Sequence, residues 1–340
     1  MSKPVRVGVV GFGYWGPNLV RNLDRLKDAE LVAACDLSQS NLDKLTSLYP
    51  YVATTMDMGA FLTDFALDAV VIATSAPSHF ALAKQALEAD MAVYVEKPLT
   101  MTSAQAEELV RIADERKLVL MVGHLMEYHS AINWIRDYIA SGDMGEVLYL
   151  YAQRLNLGKV RTEENAFSSL APHDVSIVLY LLGEAPDSVS ANGAAYVNEG
   201  VQDTVFANLH FPSGRMANIH VSWLDPHKVR KFTIVGSKKM LVFDDMNATE
   251  KIWIYDKGVE PIDALGYGED LRLRFGDITV PFIKMAEPLA LEVQHFLDCV
   301  DTGATPRSDG RDGLRVVRVL EAVDESMALG GAPVTTNLEV

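Results

Sequence analysis

The chain is poor in cysteine, in clustered cations and in long apolar runs, and each shortage closes off a class of function. Two cysteines, Cys35 and Cys299, stand far apart in 340 residues, both inside apolar segments. That argues against a disulfide framework or a thiolate metal site. Lysine and arginine total 30 against 46 acidic residues, for a net charge of −16. No dense basic run interrupts this acidity, so no nucleic-acid partner is expected, because a phosphate backbone is held by clustered cations. No apolar stretch approaches the ~20 residues that cross a bilayer, so no membrane partner is expected either. "MSKPVRVGVVGFG" enters a strand almost at once and leaves no space for a signal peptide. A cytoplasmic location is therefore expected. HExxH, internal repeats and low-complexity tracts are also missing. His210 and His220 fall ten apart on strands with no third ligand spaced to join them, so no metal site is expected.

What is present fits two globular domains. A length of 340 residues exceeds one ordinary core, and 49% hydrophobic with 22% charged residues is a normal globular composition. The first domain begins with a β-branched run, Val5 to Val10, read as a buried parallel strand. Gly11-Phe12-Gly13-Tyr14-Trp15-Gly16 then opens an amphipathic helix, with Pro17 where a first-turn proline is tolerated. Gly11 makes the tight turn, Gly13 lets the backbone approach a pyrophosphate, and Gly16 packs helix against strand. The helix N-terminus offers unpaired N–H groups to phosphates. "AELVAACD" is a second strand ending in Asp36, twenty residues after Gly16, where a carboxylate accepts hydrogen bonds from an adenosine ribose. A 2′-phosphate is repelled there, and no arginine follows in "DLSQSN". The expected cofactor is NAD rather than NADP.

The β–α alternation continues. "LDAVVIAT" is a strand, Pro77 to Ala89 a helix, "MAVYVEKP" a strand, Thr102 to Arg116 a helix, and "KLVLMVGH" a strand. This pattern predicts a doubly wound parallel sheet, a Rossmann fold over residues 1–123, with its ligand at the carboxyl ends of the strands. Thr74-Ser75, Glu96-Lys97-Pro98 and Gly123-His124 fall at such ends. After His124 the texture changes. "SAINWIRDYIASG" reads as a helix, and "EVLYLYAQRL", "DTVFANLHF", "RMANIHVSW", "RKFTIVG" and "KMLVFDD" as strands. "HFPSGRM" and "VGSKKM" read as hairpin turns. Helices follow over Pro288 to Val300 and Arg311 to Leu329. Residues 124–340 are thus expected to form an α+β domain with a large, mostly antiparallel open sheet. The exposed face of that sheet suggests a homodimer or homotetramer.

GFGYWG, the strand-end Asp36, "ATSAPSH", "VEKPLT", "VGH" and "APHD" occur in the order seen in the Gfo/Idh/MocA oxidoreductases, which the chain resembles along nearly its whole length. "RLNLGKVR" followed by "LAPHDVSI" is most similar to that family's nucleotide-sugar and amino-sugar branch. The resemblance implies an NAD(H)-dependent enzyme that interconverts a ring secondary alcohol and ketone on a nucleotide-linked sugar. C3 of UDP-N-acetylglucosamine is one such position. It also implies that Gly11 to Gly16, Asp36, Thr74, Ser75, His79, Glu96 and Lys97 line the cofactor.

For the chemistry, the resemblance implies a lysine at Lys97 hydrogen-bonded to the reacting hydroxyl, able to steady an alkoxide or relay the proton. A surface lysine is the bland alternative. His173 changes charge near neutral pH and matches the family's motif at a helix start, against the alternative of a capping or core histidine. Asp174, in a first turn, needs no role beyond stabilising the helix dipole. Many relatives carry an acid four positions before that histidine, where this chain has Ser169. A serine can hydrogen-bond substrate or His173 but is no base unaided. Two readings stay open: a working Lys97/His173 pair with Ser169 as positioner, or reduced chemistry in a retained pocket. Arg154, Lys159 and Arg161 could meet a diphosphate and Asn165 a sugar hydroxyl, or all could be solvated loop. His124 is expected to touch substrate, and by resemblance Tyr128 and His129 wall the pocket. The competing functions are a free polyol or inositol dehydrogenase and a non-catalytic NAD-binding sensor.

Overall fold

A computed structural model of the chain describes residues 3–261 and 271–338. The first half alternates strictly: β1 Val5–Val10, α1 Gly16–Arg25, β2 Ala29–Cys35, α2 Gln39–Leu48, β3 Ala53–Thr55, α3 Met58–Asp64, β4 Ala69–Ile72, α4 Ala76–Glu88, β5 Ala92–Glu96, α5 Ser103–Arg116 and β6 Leu120–Gly123. All six strands pair in parallel in the order β3-β2-β1-β4-β5-β6. The order reverses beside β1, which puts the ligand crevice of such a sheet at the carboxyl ends of β1 and β4. Strands β4 and β5 are buried on both faces, which is why they read as unbroken apolar runs.

A short three-ten turn, Leu125–Tyr128, leads to α6 Ser130–Ala140 and β7 Val147–Leu155. Then come α7 Ala166–Leu170, α8 Pro172–Leu182, β8 Ser188–Ala194, β9 Thr204–His210, β10 Met216–Ser222, β11 Val229–Gly236, β12 Met240–Asp244, β13 Ile252–Pro261 and β14 Leu271–Thr279. The chain closes with α9 Pro288–Thr302, α10 Gly310–Ala328 and β15 Val334–Thr335. The second sheet has nine strands in the order β14-β13-β12-β11-β7-β10-β9-β8-β15. The turns expected after His210 and Val235 close the β9–β10 and β11–β12 hairpins. The sheet is mixed, because β10 lies parallel to β7 while the other neighbours are antiparallel. On one face Ala207, Ile219, Phe232 and Ile234 are buried, and α7 and α8 pack against β7, β9 and β10. On the other, register sets Tyr149 opposite Met216 and Phe206 opposite His220. Tyr149 (44%), Tyr151 (36%), Phe206 (47%) and Met216 (46%) stay exposed there. Strands β3, β8, β13, β14 and β15 were not expected; β14 is solvent-exposed along nearly its whole length and lacks the burial that makes a strand legible.

The chain forms two compact units, and they differ from a single cut after residue 123. One comprises Met1–Tyr128 with Glu287–Val317, the other His129–Ala286 with Arg318–Val340. Helix α9 explains the return. Leu289, Val293, Phe296 and Leu297 are buried in one cluster with Val5, Val7, Leu19 and Leu23. Removing each such side chain from water is worth about 1.5–3 kcal/mol, so this face holds α9 to the parallel-sheet unit. Among the described residues no helix is long and apolar enough to cross a membrane.

Candidate active site

In the parallel-sheet unit the glycine loop leaves β1 with Gly11 at φ +96°, and its amide donates to the Cys35 carbonyl at 2.8 Å. A Cβ on Gly11 would stand 2.9 Å from the Ala73 carbonyl, and one on Gly16 would stand 2.2 Å from the Gly11 oxygen. Around Gly13 nothing lies within 4 Å of such a Cβ. Two glycines are therefore demanded by the protein itself, and the third borders open space where a diphosphate fits against the N-terminus of α1. No side chain caps that helix start. Phe12 is 5% exposed and its ring belongs to the core. Tyr14, 96% exposed, is fully accessible.

Asp36 ends β2. Its carboxylate accepts from the Phe12 amide at 2.6 Å, the Ser38 amide at 2.7 Å and the Asn41 side chain at 3.2 Å. These bonds fix the carboxylate beside the glycine loop. The Asn41 amide reaches both oxygens at 3.2 Å, so the carboxylate's roughly four acceptor sites are engaged and a ribose diol would take over those that Asn41 holds. The open ground at Gly13, the uncapped helix and this acid together fit NAD.

At the end of β4, Thr74 accepts from the Ser78 hydroxyl at 2.7 Å, and Ser75 is exposed. His79 was expected at the cofactor; its ring is instead 1% exposed. Its Nδ1 lies 2.7 Å from the Pro98 carbonyl and its Nε2 3.1 Å from the Thr74 carbonyl. Burial lowers its pKa despite both carbonyls. A neutral imidazole has one N–H, so it donates to one of these carbonyls, and only a protonated ring could donate to both.

At the end of β5, Glu96 and Lys97 are half-buried, and the Lys97–Pro98 peptide is cis. Burial pushes the Glu96 carboxyl up to about 7, against the opposing charge of Lys97. Tyr94, two residues earlier, is fully buried, with its hydroxyl 3.4 Å from Glu96 Oε1 and 3.1 Å from Glu292 Oε2 of α9. His124, expected at the substrate, is 1% exposed. Its Nδ1 lies 2.7 Å from Asp312 and 3.4 Å from Glu127. Burial works to lower the His124 pKa, but hydrogen bonds and charge from Asp312 and Glu127 overcome it and raise it to about 10. Glu127 is raised by burial and by Asp312; Asp312 is lowered, His124 outweighing its burial. A cationic imidazole, one carboxylate and one carboxylic acid make a neutral triad, which is how buried charges satisfy one another. Tyr128 is likewise inside, 3% exposed, its hydroxyl 3.3 Å from Ser308 and its ring under the Arg307 guanidinium.

The other unit holds the remaining candidates. Arg154 and Asp174 are buried and paired through two bonds, Nε to Oδ2 at 2.6 Å and Nη2 to Oδ1 at 3.1 Å. This corrects both readings: the guanidinium is committed to Asp174, and Asp174 does more than stabilise a helix dipole. Asn165 caps α7, accepting from the Ser168 amide at 2.9 Å, while its amide nitrogen donates to Asp324 at 2.8 Å. A sugar hydroxyl would have to compete with both. Arg161 is exposed and pairs with Glu164; Lys159 is exposed too. His129 caps α6, its Nδ1 accepting from the Ala131 amide at 3.3 Å. Ser169 is buried near the end of α7, and His173 is half-buried in the first turn of α8. Ala171, in αR conformation, joins the two helices and keeps the four-residue step close to one helical turn. His210 and His220 do not face one another across the β9–β10 pair; His220 stacks on Phe206 at 4.0 Å.

Sequence reading missed Tyr94, Glu127, Glu292 and Asp312. A signal existed for Glu292: it shares the apolar stripe of α9 with Leu289, Val293 and Phe296, at positions three and four apart, where a lone acid must have a partner inside.

Residues 5–124 match the family model described as "Oxidoreductase family, NAD-binding Rossmann fold", and residues 132–242 match the "GFO/IDH/MocA C-terminal domain". The chain belongs to the Gfo/Idh/MocA family. It is an NAD-dependent oxidoreductase. A UDP-N-acetylglucosamine 3-dehydrogenase of Acidithiobacillus ferrooxidans is 28% identical over 92% of this chain and 94% of its own length. Its crystal structure superposes with a TM-score of 0.79, at 26% identity, over 96% of this chain and 99% of that one. An inositol 2-dehydrogenase of Rhizobium meliloti is 24% identical over 95% of this chain and 97% of its own length. The WlbA dehydrogenase of Bordetella pertussis, in complex with NADH and UDP-GlcNAcA, shares the fold at TM-score 0.80 and 22% identity, covering 99% and 100% of the two chains.

Proposed function

We propose that the protein interconverts a ring secondary alcohol and a ketone on a nucleotide-linked sugar, such as C3 of UDP-N-acetylglucosamine. The observation that carries this reading is end-to-end likeness to a UDP-N-acetylglucosamine 3-dehydrogenase, in both sequence and fold. NAD, when bound, supplies the hydride acceptor or donor; the proton falls to the chain. Lys97, at the end of β5, is the group that meets the reacting hydroxyl, and His173, at the start of α8, is the second proton carrier. Ser169 orients substrate or His173 and takes no proton itself.

One observation favours a free polyol as the alternative substrate. Arg154 is held by Asp174, which leaves Lys159 and Arg161 to meet a diphosphate. Charge reversal decides between the two. Lys159→Glu with Arg161→Glu should raise KM for UDP-N-acetylglucosamine at least tenfold and leave an inositol substrate untouched. Turnover on inositol alone, unaffected by the reversal, would move the assignment to the polyol. Lys97→Ala should abolish turnover on either substrate and keep NAD affinity within a few-fold; near-normal turnover would remove Lys97 from the chemistry. We also propose that two copies pair through the open sheet face bearing Tyr149, Tyr151, Phe206 and Met216. Tyr151→Lys should then lower the oligomeric state in sedimentation.

A further inference from the structure

Tyr94 sits in β5 with its ring edge-on to Phe296, centroids 5.8 Å apart, and its hydroxyl between two carboxyl groups. A phenol has one proton to donate. It can donate to Glu96 or to Glu292 but not to both, so the other carboxyl must bring a proton of its own or face the oxygen with like charge. Glu292 is 0% exposed, and its Oε1 has no hydrogen-bond partner among the described residues. An ionised carboxylate in that position is expensive. Gly123 completes the arrangement: a Cβ there would stand 2.7 Å from the Tyr94 hydroxyl and 3.1 Å from Glu96 Oε2.

We propose that Glu96, Tyr94 and Glu292 form a store holding one mobile proton for the reacting centre at Lys97, the next residue in the chain. The proposal rests on the assignment of Lys97 above. The store has two states. In the first, Glu292 donates its O–H to Tyr94 and Tyr94 donates to the Glu96 carboxylate. In the second, Glu96 donates to Tyr94 and Tyr94 to the Glu292 carboxylate. Passing from first to second breaks the O–H bonds of Glu292 and Tyr94 and forms those of Tyr94 and Glu96. The proton count is unchanged, and negative charge moves from Glu96 inward to Glu292. Reduction of a ketone draws the proton out at the Glu96 end; oxidation of an alcohol returns it there.

The groups facing the store agree with this. Lys97 opposes the burial of Glu96, while His124, Glu127 and Tyr128 lie around Glu292. Burial and the Glu96 charge hold Glu292 well above the usual carboxylate range, so the resting proton sits deep.

Infrared spectroscopy of the protein without cofactor or substrate reads the store directly. At neutral pH, Glu292→Gln should remove one C=O stretching band of a protonated carboxyl, and Tyr94→Phe should shift that band, since it keeps the ring and deletes the bridge. With NAD and substrate, both variants should displace the pH profile of turnover, and Tyr94→Phe should slow turnover on the order of tenfold, the loss of one hydrogen bond. An infrared spectrum unchanged by Glu292→Gln overturns the proposal. So does a pH profile that matches wild type in both variants. Should Glu292→Gln not fold, Tyr94→Phe carries the test alone. Failure of the Lys97 assignment looks different: Lys97→Ala then keeps its turnover, and the infrared band is still lost in Glu292→Gln.

Discussion

Asp36 and Asp174 are both aspartates next to a helix, yet their surroundings give them opposite tasks. Asp36 is only partly buried, and beyond two backbone amides it is held by the Asn41 side chain, a partner that a ribose diol can displace. Asp36→Arg should therefore narrow or invert the preference for NAD over NADP, measured as two dissociation constants on the purified protein. Unchanged tight NAD binding would take Asp36 off the ribose. Asp174 has no such freedom, because its side chain and that of Arg154 are 2% and 9% exposed and bind each other twice. Removing one partner leaves a buried charge uncompensated. Arg154→Met should cost about 3–5 kcal/mol in urea denaturation. A smaller loss than from an ordinary surface substitution would mean that water reaches the pair.

At the scale of elements, the turn between β1 and α1 separates what the fold requires from what the ligand requires. Gly11 has a positive φ and backbone 2.9 Å from where a Cβ would go, so Gly11→Ala should lower the melting temperature by straining the turn, with or without NAD. Gly13 has open space around it. Gly13→Ala should leave the melting temperature of the free protein unchanged and weaken NAD binding, because the methyl group takes room meant for the diphosphate. Wild-type NAD affinity in Gly13→Ala would place the cofactor elsewhere.

For the molecule as a whole, stability should fall in alkali through the His124 triad. The folded pKa of His124, about 10, lies above its ordinary 6.5. Its contribution is thus fully present below pH 6.5 and is lost as pH rises through about 10. Glu127 is raised as well and acts in the same sense, whereas Asp312, held low, matters only when pH falls into the carboxylate range. Melting temperatures between pH 7 and 10 should decline in wild type and run flatter in His124→Gln. Parallel curves would mean that the imidazole is neutral in the folded protein.

The sequence by itself determined the elements whose signals are local. Glycine spacing, Pro17, the acid at the end of β2 and the apolar runs of β1, β4 and β5 announced the parallel sheet and its cofactor, because turn sterics and strand burial are written within a few neighbouring residues. Tertiary structure alone decided the partners. Arg154 reads as a ligand for phosphate until Asp174, twenty residues later, claims it, and His79 reads as a cofactor contact and His124 as a substrate contact until the packed chain buries them. Tyr94 and Glu292 are separated by 198 residues, and the return of α9 to the parallel-sheet unit brings them together. Local pattern specifies which face of an element is buried. What that face meets is fixed only when distant segments pack, and that contact sets which polar groups bind ligand and which bind one another.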